Sequence, residues 1–331
     1  MAAVTSAVEA AREAIEAAVW APSIHNTQPW RFSTEELPDG MRISLHADPD
    51  RRLEVADPDG RELAISCGTA LEVLRIAVLA GGFAPQVHTL PDPDRPGLLA
   101  DVTVRERTEA APDNERLFEQ VRRRRTHRGA FPSGGPPRHL LAALVEEARR
   151  ENASLRVVTD TREITALGAL TETAEQFQRL DSAYQDELDH WSPAFGSRRQ
   201  DGVPDTAYPL EQQHTEPHFA QRDFGRGRDQ GTDVGEEVPG VTGTVLVLET
   251  DRDDRAAWIA AGQALERVLL RAAADRYSAA LHTQALEVPA TREMIRQEIC
   301  QGRHPQVIMR LGRTGPAFTS TRRPAAEVTD D

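Results

Sequence analysis

The pattern of apolar positions in the N-terminal part of the chain predicts two helices and two strands. Residues 5–20 carry apolar side chains at helical spacing. Residues 41–47, MRISLHA, alternate between apolar and polar side chains, as a half-buried strand does. Residues 61–82 are apolar at a dense helical period and end on two glycines, which predicts a buried helix with a glycine stop. Residues 98–106, LLADVTVRE, predict a second strand.

The rest of the chain repeats this succession of helices and strands. Helical spacing predicts helices at 113–125, 136–150, 161–191 and 254–281. Short apolar runs predict strands at 153–160, 243–250 and 304–312. Residues 321–331 form a polar tail that we expect to be disordered.

Two of the predicted helices resemble each other. One contains CGTALEVLRIAVLAGG and the other contains AGQALERVLLRAAADRY, so both place small residues before an Ala-Leu-Glu core. This similarity indicates an internal duplication of about 130 to 190 residues per copy. The alternative is that buried helices resemble one another by composition alone.

Residues 192–240 interrupt the second half with a stretch that has no sustained periodicity. The segment is rich in Gly, Pro and charged residues, and an insertion of this length is either a functional lid or a disordered region. Its aromatic residues favour a lid, because disordered linkers are usually poor in aromatics. These residues are Phe195, Tyr208, Phe219 and Phe224.

Composition excludes several classes of function. The chain has 331 residues and a formal net charge of −14, so it repels nucleic acid and anionic membrane surfaces. No apolar run reaches the roughly 18–20 residues of a membrane span, and the N-terminus lacks the features of a signal peptide. The 2 cysteines lie far apart and form neither a disulfide framework nor a zinc pattern. We therefore expect a cytoplasmic protein without a bound metal and without a nucleic-acid or membrane partner.

The segment RRRRTHRGAF, residues 122–131, is a candidate phosphate site. Each arginine presents a planar fork of donors that suits phosphate oxygens, and Thr126 adds a hydroxyl. The alternative is a solvated basic surface.

The stretch WAPSIHNTQPWRF, residues 20–32, places five polar side chains between prolines and tryptophans. Asn26 and Gln28 each offer a donor and an acceptor, which is the combination that a flat heteroaromatic ring with alternating N–H and C=O groups requires. The prolines stiffen the backbone around them. The alternative is a capped loop between a helix and a strand, with a packed tryptophan.

Together these motifs resemble the nitroreductase family of FMN proteins. APSIHNTQPW is similar to that family's A-P-S-x-x-N-x-Q-P-W loop, and RRTHRGAF is similar to its R-R-S-x-R-x-F phosphate segment. With ISCGTALEVLRIAV, LEVPATR and HPQVIMRLG in the same order, the chain most resembles the Acg subfamily of actinobacterial NAD(P)H nitroreductases. The resemblance spans nearly the whole chain outside residues 192–240.

The resemblance implies an α+β, nitroreductase-like three-layer sandwich that normally forms a dimer with FMN at the subunit interface. Here two fused halves would form an intramolecular pseudo-dimer, which predicts a monomer. We expect a first half at residues 1–110 and a second half at 111–320, with the lid insertion at 192–240. Because each half has one good copy of only one motif, we expect one complete flavin site.

The resemblance also implies which residues hold FMN. Phosphate and ribityl contacts would come from Arg124, Arg125, Thr126 and Arg128, with Arg310 preferred over Arg313 as a further phosphate contact. The ring and ribityl groups would contact Pro22, Ser23, Asn26 and Gln28. Backbone groups near the ring would come from Thr283, Gln284, Ala285 and Leu286. His25 would either line the substrate face or cap the loop.

The expected function is the NAD(P)H-dependent reduction of a nitroaromatic or quinone-type acceptor. In this interpretation no side chain is a nucleophile, because the flavin carries the redox chemistry. The alternative is a protein that sequesters or stores FMN beneath its lid and does not turn over. The sequence does not distinguish NADH from NADPH.

Overall fold

Two β-sheets with helices between them organise the chain. The computed structural model describes residues 6–109, 111–131, 134–194, 196–204, 207, 213–222, 224, 238–314 and 320–330. The first elements are α1 (Ala7–Ala18), β1 (Trp30–Leu37), β2 (Gly40–Ala47), α2 (Arg61–Ala80), β3 (Phe83–Thr89) and β4 (Leu98–Arg107). They are followed by α3 (Pro112–Phe118), α4 (Arg138–Arg150), β5 (Ser154–Val158), α5 (Thr161–Leu180) and α6 (Ser182–His190).

The lid insertion and the C-terminal region complete the element order. The insertion contains the short parallel pair β6 (Gln213–His214) and β7 (Val238–Pro239). After it come β8 (Thr244–Thr250), α7 (Arg255–Ala274), β9 (Ser278–Leu281), α8 (Gln284–Glu287), α9 (Pro289–Glu298), β10 (His304–Gly312), α10 (Ala325–Val328) and β11 (Thr329–Asp330). The first sheet has the order β11-β1-β2-β4-β3, and the second has the order β5-β8-β10-β9.

The second sheet is covered on both faces, which gives the three-layer arrangement. Leu246 and Leu248 of β8 pack with α4 and α7, whereas Val245 and Val247 pack with α5, α8 and α9. This alternation follows from the two-residue period of a strand. The first sheet packs one face on α1 and α2.

Helices α2 and α7 cross in close contact at two glycines. A Cβ atom on Gly68 would overlap the backbone oxygen of Ile259, and one on Gly262 would overlap the backbone oxygen of Ile65. In the two Ala-Leu-Glu helices, Gly68 corresponds to Gly262 and Ile65 corresponds to Ile259. Each helix therefore makes the same contact with the other, as a local two-fold axis would require. Only glycine allows the two backbones to approach this closely.

The long apolar helix α2 is part of the core. By length and composition it could cross a membrane, but 83% of its most apolar window is buried inside the protein. Its sequence, apolar on most faces, is explained by contact with the first sheet on one side and α7 on the other.

Several predicted boundaries differ from the structure. The helix predicted over 161–191 is interrupted at Asp181, whose side chain caps α6. The helix predicted over 254–281 ends at Ala274, and residues 278–281 form β9 because they pair with β10. Strands β1 and β3 were not predicted. The division near residue 110 stays a prediction.

The C-terminal tail is ordered, contrary to expectation. Residues 325–328 form α10, and β11 pairs in parallel with β1 through Thr329 and Phe32. Arg31 also forms an ion pair with Asp330. These contacts join the end of the chain to its beginning, so a local reading of a polar tail does not detect them.

Candidate functional site

The candidate cleft is lined by residues from distant parts of the chain, the insertion among them. Its cavity volume is about 130 Å³. Its walls come from the turn after α1, the start of α2, the arginine segment, the end of β9, the insertion and the C-terminal tail.

The turn after α1 is held in an unusual backbone conformation. His25, Asn26 and Gln28 have φ values of 46°, 54° and 52°, in the left-handed region that costs side-chain-bearing residues about 1 kcal/mol or more each. The Ser23 hydroxyl accepts a hydrogen bond from the Gln28 amide at 2.9 Å. Thr69 of α2 donates to the Pro22 carbonyl at 2.7 Å. The turn is therefore fixed on α2, with Pro22, Ser23, His25 and Asn26 lining the cleft.

The arginine segment lies across the cleft from this turn. Thr126 pairs with Ala279 of β9, and the His127 amide donates to the Ala279 carbonyl at 2.8 Å. This pairing places Arg124, Thr126 and Arg128 on the cleft wall. The prediction that this segment and the Ser23–Asn26 turn belong to one site therefore agrees with their placement.

Arg322, from the C-terminal tail, lies close to Arg124 and Arg128. Arg322 lines the cleft beside Ser320, which accepts its hydrogen bond at 2.7 Å. Burial, with the charges of Arg124 and Arg125, lowers the pKa of Arg322 to about 9. Burial also lowers the pKa of Arg124, and Arg128 adds to that effect. We call Arg124, Arg128 and Arg322 the arginine cluster.

A buried carboxylate, Glu266, lies beside Arg124 of this cluster. Glu266 of α7 is fully buried, and its Oε1 lies 3.9 Å from Nε of Arg124. Among the described residues, neither oxygen of Glu266 nor Nε of Arg124 has a hydrogen-bond partner. Burial raises the pKa of Glu266 to about 7. The cleft thus has a positively charged end, which favours an anionic ligand.

Comparison with known proteins agrees with the order of the motifs. No family model matches the chain. A Mycobacterium tuberculosis protein named "Putative NAD(P)H nitroreductase" is 34% identical over 308 residues, which are 92% of this chain and 85% of the relative. The chain belongs to the nitroreductase family. A second M. tuberculosis relative, "Putative NAD(P)H nitroreductase acg", is 29% identical over 325 residues, 96% of this chain and 94% of the relative.

Two solved structures are similar to this chain at low sequence identity. A nitroreductase with bound FMN from Desulfitobacterium hafniense is 13% identical, with a TM-score of 0.41, and the match covers 65% of this chain and 98% of that one. A protein described as a "putative nitroreductase" from Anabaena variabilis is 12% identical, with a TM-score of 0.44, and the match covers 93% of this chain and 74% of that one. The predicted α+β fold is confirmed by the two sheets and the helices that pack on them.

Arg310, which the family resemblance suggested as a phosphate contact, does not line the cleft. Its guanidinium is 1% exposed and donates to His282 at 2.8 Å, to the Thr242 carbonyl at 3.0 Å and to the Gly129 carbonyl at 3.0 Å. The N–H donors of Arg310 are therefore used in hydrogen bonds within the protein. Arg313 is placed against the ring of Tyr277, also away from the cleft.

Gln28 and Arg125 also lie differently from the prediction. The Gln28 side chain is fully buried, donates to the Gln200 carbonyl at 2.8 Å and accepts from the Arg323 amide at 2.8 Å. It ties the turn to the insertion and to the tail and does not face the cleft. Arg125 lies at the edge of the arginine cluster, where it donates to the carbonyls of Arg122 and Arg124 at 2.7 Å each.

The wall after β9 contains only part of the predicted segment. Thr283 and Gln284 line the cleft, whereas Ala285 and Leu286 belong to the core beneath the second sheet. The Thr283 hydroxyl donates to Glu287 at 2.9 Å, and Glu287 accepts both ends of the Arg222 guanidinium. This ion pair fixes the wall to the insertion.

The start of α2 brings a carboxyl group that the sequence analysis did not select. Glu62 lines the cleft, and its Oε1 accepts from Arg61 at 2.6 Å. Burial and the charge of Glu287 raise the pKa of Glu62 to about 8, so it is largely protonated at neutral pH. Other cleft residues missed from sequence are Ser66, Gln306, Ser320 and Arg322. Helical spacing identified Ser66 only as part of a core helix, and nothing local marked the others.

Residues of the insertion at 192–240 form part of the cleft wall. Gly202, Val203, Gln221, Arg222 and Phe224 line it. The Gly202 amide donates to the Asn26 carbonyl at 3.2 Å, and the Asn26 side chain donates back to the Gly202 carbonyl at 2.9 Å. Phe219 is buried beneath the second sheet. Phe195 and Tyr208 lie outside the described residues.

Proposed function

We propose that the cleft binds FMN and that the protein is an NAD(P)H-dependent flavin oxidoreductase. The observation that carries the proposal is the arginine cluster at one end of the cleft. Arg124, Arg128 and Arg322 are brought together from two distant parts of the chain. Among the described residues, the one carboxylate in an ion pair with Arg124 is Glu266, at 3.9 Å. A phosphate dianion would neutralise this charge through charge-assisted hydrogen bonds.

The donor and acceptor groups along the cleft fit the remainder of such a ligand. Among the described residues, Oδ1 of Asn26 and both ring nitrogens of His25 are buried without a hydrogen-bond partner. A buried polar group without a partner costs about 1–3 kcal/mol. A ligand with ring carbonyls, ring N–H groups and ribityl hydroxyls would satisfy these groups.

The residues therefore divide by the part of FMN that they would hold. The phosphate would be held by Arg124, Arg128 and Arg322, with the hydroxyls of Thr126 and Ser320 beside them. The ribityl and ring groups would lie along Pro22, Ser23 and Asn26 on one wall and Thr283 and Gln284 on the other.

Bound FMN would supply the redox chemistry, accepting hydride from NAD(P)H and passing electrons to a nitroaromatic or quinone. The chain's own residues would bind and orient the flavin and would exclude water from the cleft. The left-handed turn fixes Asn26 before the ligand arrives, so little ordering is needed on binding.

We propose one flavin site per chain, in an intramolecular pseudo-dimer that is a monomer in solution. The reciprocal contact of Gly68 and Gly262 supports the two-fold relation between the halves. Both cysteines, Cys67 and Cys300, are buried free thiols, which supports a reducing cytoplasmic location.

The insertion supports a second candidate function, the storage of FMN without turnover. The reciprocal hydrogen bonds of Gly202 and Asn26 close it over the turn, and Arg51 of the first half pairs with Asp201 at 2.9 Å. A lid that stays closed would exclude nicotinamide and the acceptor, whereas a lid that opens would gate their access.

Visible spectroscopy of the purified protein distinguishes these functions. We expect a yellow protein with close to one flavin per chain that NADPH bleaches under anaerobic conditions. Bleaching by dithionite but not by NADPH would support storage, and deletion of residues 195–230 should then restore reduction by NADPH. A protein that binds no FMN would refute both functions, and two flavins per chain would refute the single site.

A further inference from the structure

His25 lies in the wall of the cleft, where the hydrogen bonding of its ring nitrogens is unusual. Its side chain lines the cleft and is 5% exposed. Among the described residues, neither Nδ1 nor Nε2 has a hydrogen-bond partner. In this structure His25 therefore does not cap the loop, because a cap requires a hydrogen bond from its side chain.

The other histidines beside the cleft have different surroundings. His282 accepts a hydrogen bond from Arg310 at 2.8 Å through Nε2, and its Nδ1 lies 3.2 Å from the Ala220 carbonyl. His127 has its Nε2 2.8 Å from the Ala130 carbonyl. Since buried polar groups are normally paired, the lack of partners at His25 requires an explanation.

The backbone at His25 strengthens the case for a function. Its φ of 46° is in the left-handed region, which costs a histidine about 1 kcal/mol or more. The surrounding turn holds it there, and the ring meets Phe224 of the insertion edge to face, with centroids 5.1 Å apart. The imidazole is thus fixed between the turn and the insertion.

We propose that His25 is a cofactor-contact residue whose imidazole hydrogen-bonds to the riboflavin moiety of FMN. This inference rests on the proposed function. A neutral imidazole offers one donor and one acceptor, which matches ring amide groups and ribityl hydroxyls. Phosphate accepts hydrogen bonds, and the arginine cluster already supplies donors for it.

The charge state of His25 agrees with this role. Burial, and then the charges of Arg222 and Arg128, lower its pKa well below 6.5. Glu62 also lines the cleft, but it does not reverse that direction. The imidazole remains neutral at physiological pH and keeps its acceptor nitrogen.

The test is nitrogen NMR of the apoprotein labelled with ¹⁵N-histidine. The His25 signals are assigned by their loss in His25→Gln, and those of His127 and His282 are internal references. Riboflavin and FMN should each shift the His25 signals, and inorganic phosphate should not. A shift caused by phosphate alone, or flavin binding that leaves His25 unchanged, would overturn the inference. If no flavin binds, the inference and the proposed function both fail.

A substitution separates contact from a structural role. His25→Phe keeps the contact with Phe224 and removes the two unpaired nitrogens, so the apoprotein should melt at the same or a higher temperature. Its riboflavin affinity should fall about tenfold, the effect of one lost hydrogen bond to ligand. His25→Asn, which tolerates the left-handed backbone and keeps a donor and an acceptor, should recover part of that affinity. Lower stability with unchanged flavin affinity would overturn the proposal.

Discussion

Replacing Glu266 with glutamine should stabilise the apoprotein above neutral pH and destabilise it in mild acid. Glu266 is fully buried, and its one ion pair among the described residues is with Arg124, at 3.9 Å. Burial raises its pKa from 4.5 to about 7. The folded state therefore binds a proton at pH values where the unfolded chain does not, and this contribution to stability is lost as the pH rises through about 7.

The size of the effect follows from the pKa. A rise from 4.5 to about 7 corresponds, at about 1.4 kcal/mol per pH unit, to at most about 3 kcal/mol lost between pH 4.5 and 8. A glutamine does not titrate, but its buried amide also lacks partners and costs about 1–2 kcal/mol. Glu266→Gln should therefore be about 1–2 kcal/mol more stable than the parent chain at pH 8, and less stable than it at pH 5.

Thermal unfolding of the apoprotein, followed by circular dichroism from pH 5 to 8 without phosphate buffer, measures this crossover. Glu72, the matching residue of α2, is the control. Burial raises the pKa of Glu72 to about 7 as well, but Glu72 accepts hydrogen bonds from Arg75 at 2.6 Å and from Arg267 at 2.9 Å. Glu72→Gln therefore breaks a buried ion-pair network and should destabilise the protein by about 3 kcal/mol or more at pH 8. Parallel pH profiles for Glu266→Gln and the parent chain would refute the reasoning, as would equal losses in the two variants at pH 8.

The remaining predictions concern the other arginines and the helix crossing. Arg322→Met should weaken FMN binding by about 10- to 100-fold and leave riboflavin binding unchanged, as measured by quenching of flavin fluorescence. Arg310→Met should instead lower the melting temperature, because it leaves the Thr242 and Gly129 carbonyls without their donor; an equal loss of FMN affinity in both variants would contradict this assignment. Gly262→Ala should destabilise the fold by about 1–3 kcal/mol, since its Cβ would lie 2.7 Å from the Gly68 backbone, whereas Gly97→Ala, in open space, should not.

The sequence allowed the two cleft motifs to be located because each is a local signal. Polar residues between prolines and tryptophans, and a run of arginines after a helix, are visible without knowledge of distant contacts. Their proximity came from the family resemblance, and the pairing of Thr126 with Ala279 supplies its physical cause. Helix α2 was placed almost to the residue because its periodicity and its terminal glycines are strong.

The tail could not be placed in the same way. Its order depends on partners about 300 residues earlier in the chain: the Arg323 amide donates to Gln28, and Asp330 pairs with Arg31. A polar segment with few apolar residues gives no local signal for such contacts. Arg322 was missed for that reason, and Arg310 was chosen because it ends the last predicted strand. Gln28 was assigned to the cleft from its chemistry, although its amide is used to hold the tail.

The two Ala-Leu-Glu helices differ in how their central glutamates are neutralised. Glu72 is neutralised by Arg75, three residues along its own helix, and by Arg267 of the facing helix. The positions related to these by the two-fold correspondence are Leu269 and Val73, both buried and apolar.

Glu266 consequently has no cation from α2 or α7 within ion-pair distance among the described residues, and the cations near it, Arg124 and Arg322, belong to the cleft. Arg267 and Arg75 reach further to Glu147 and Glu151. On the Glu72 side, Arg75 and Arg267 are therefore paired with carboxylates. On the Glu266 side, Leu269 and Val73 supply no such cation, and Arg124 and Arg322 line the cleft. Under the proposed function, these two differences between the helices account for one flavin site per chain.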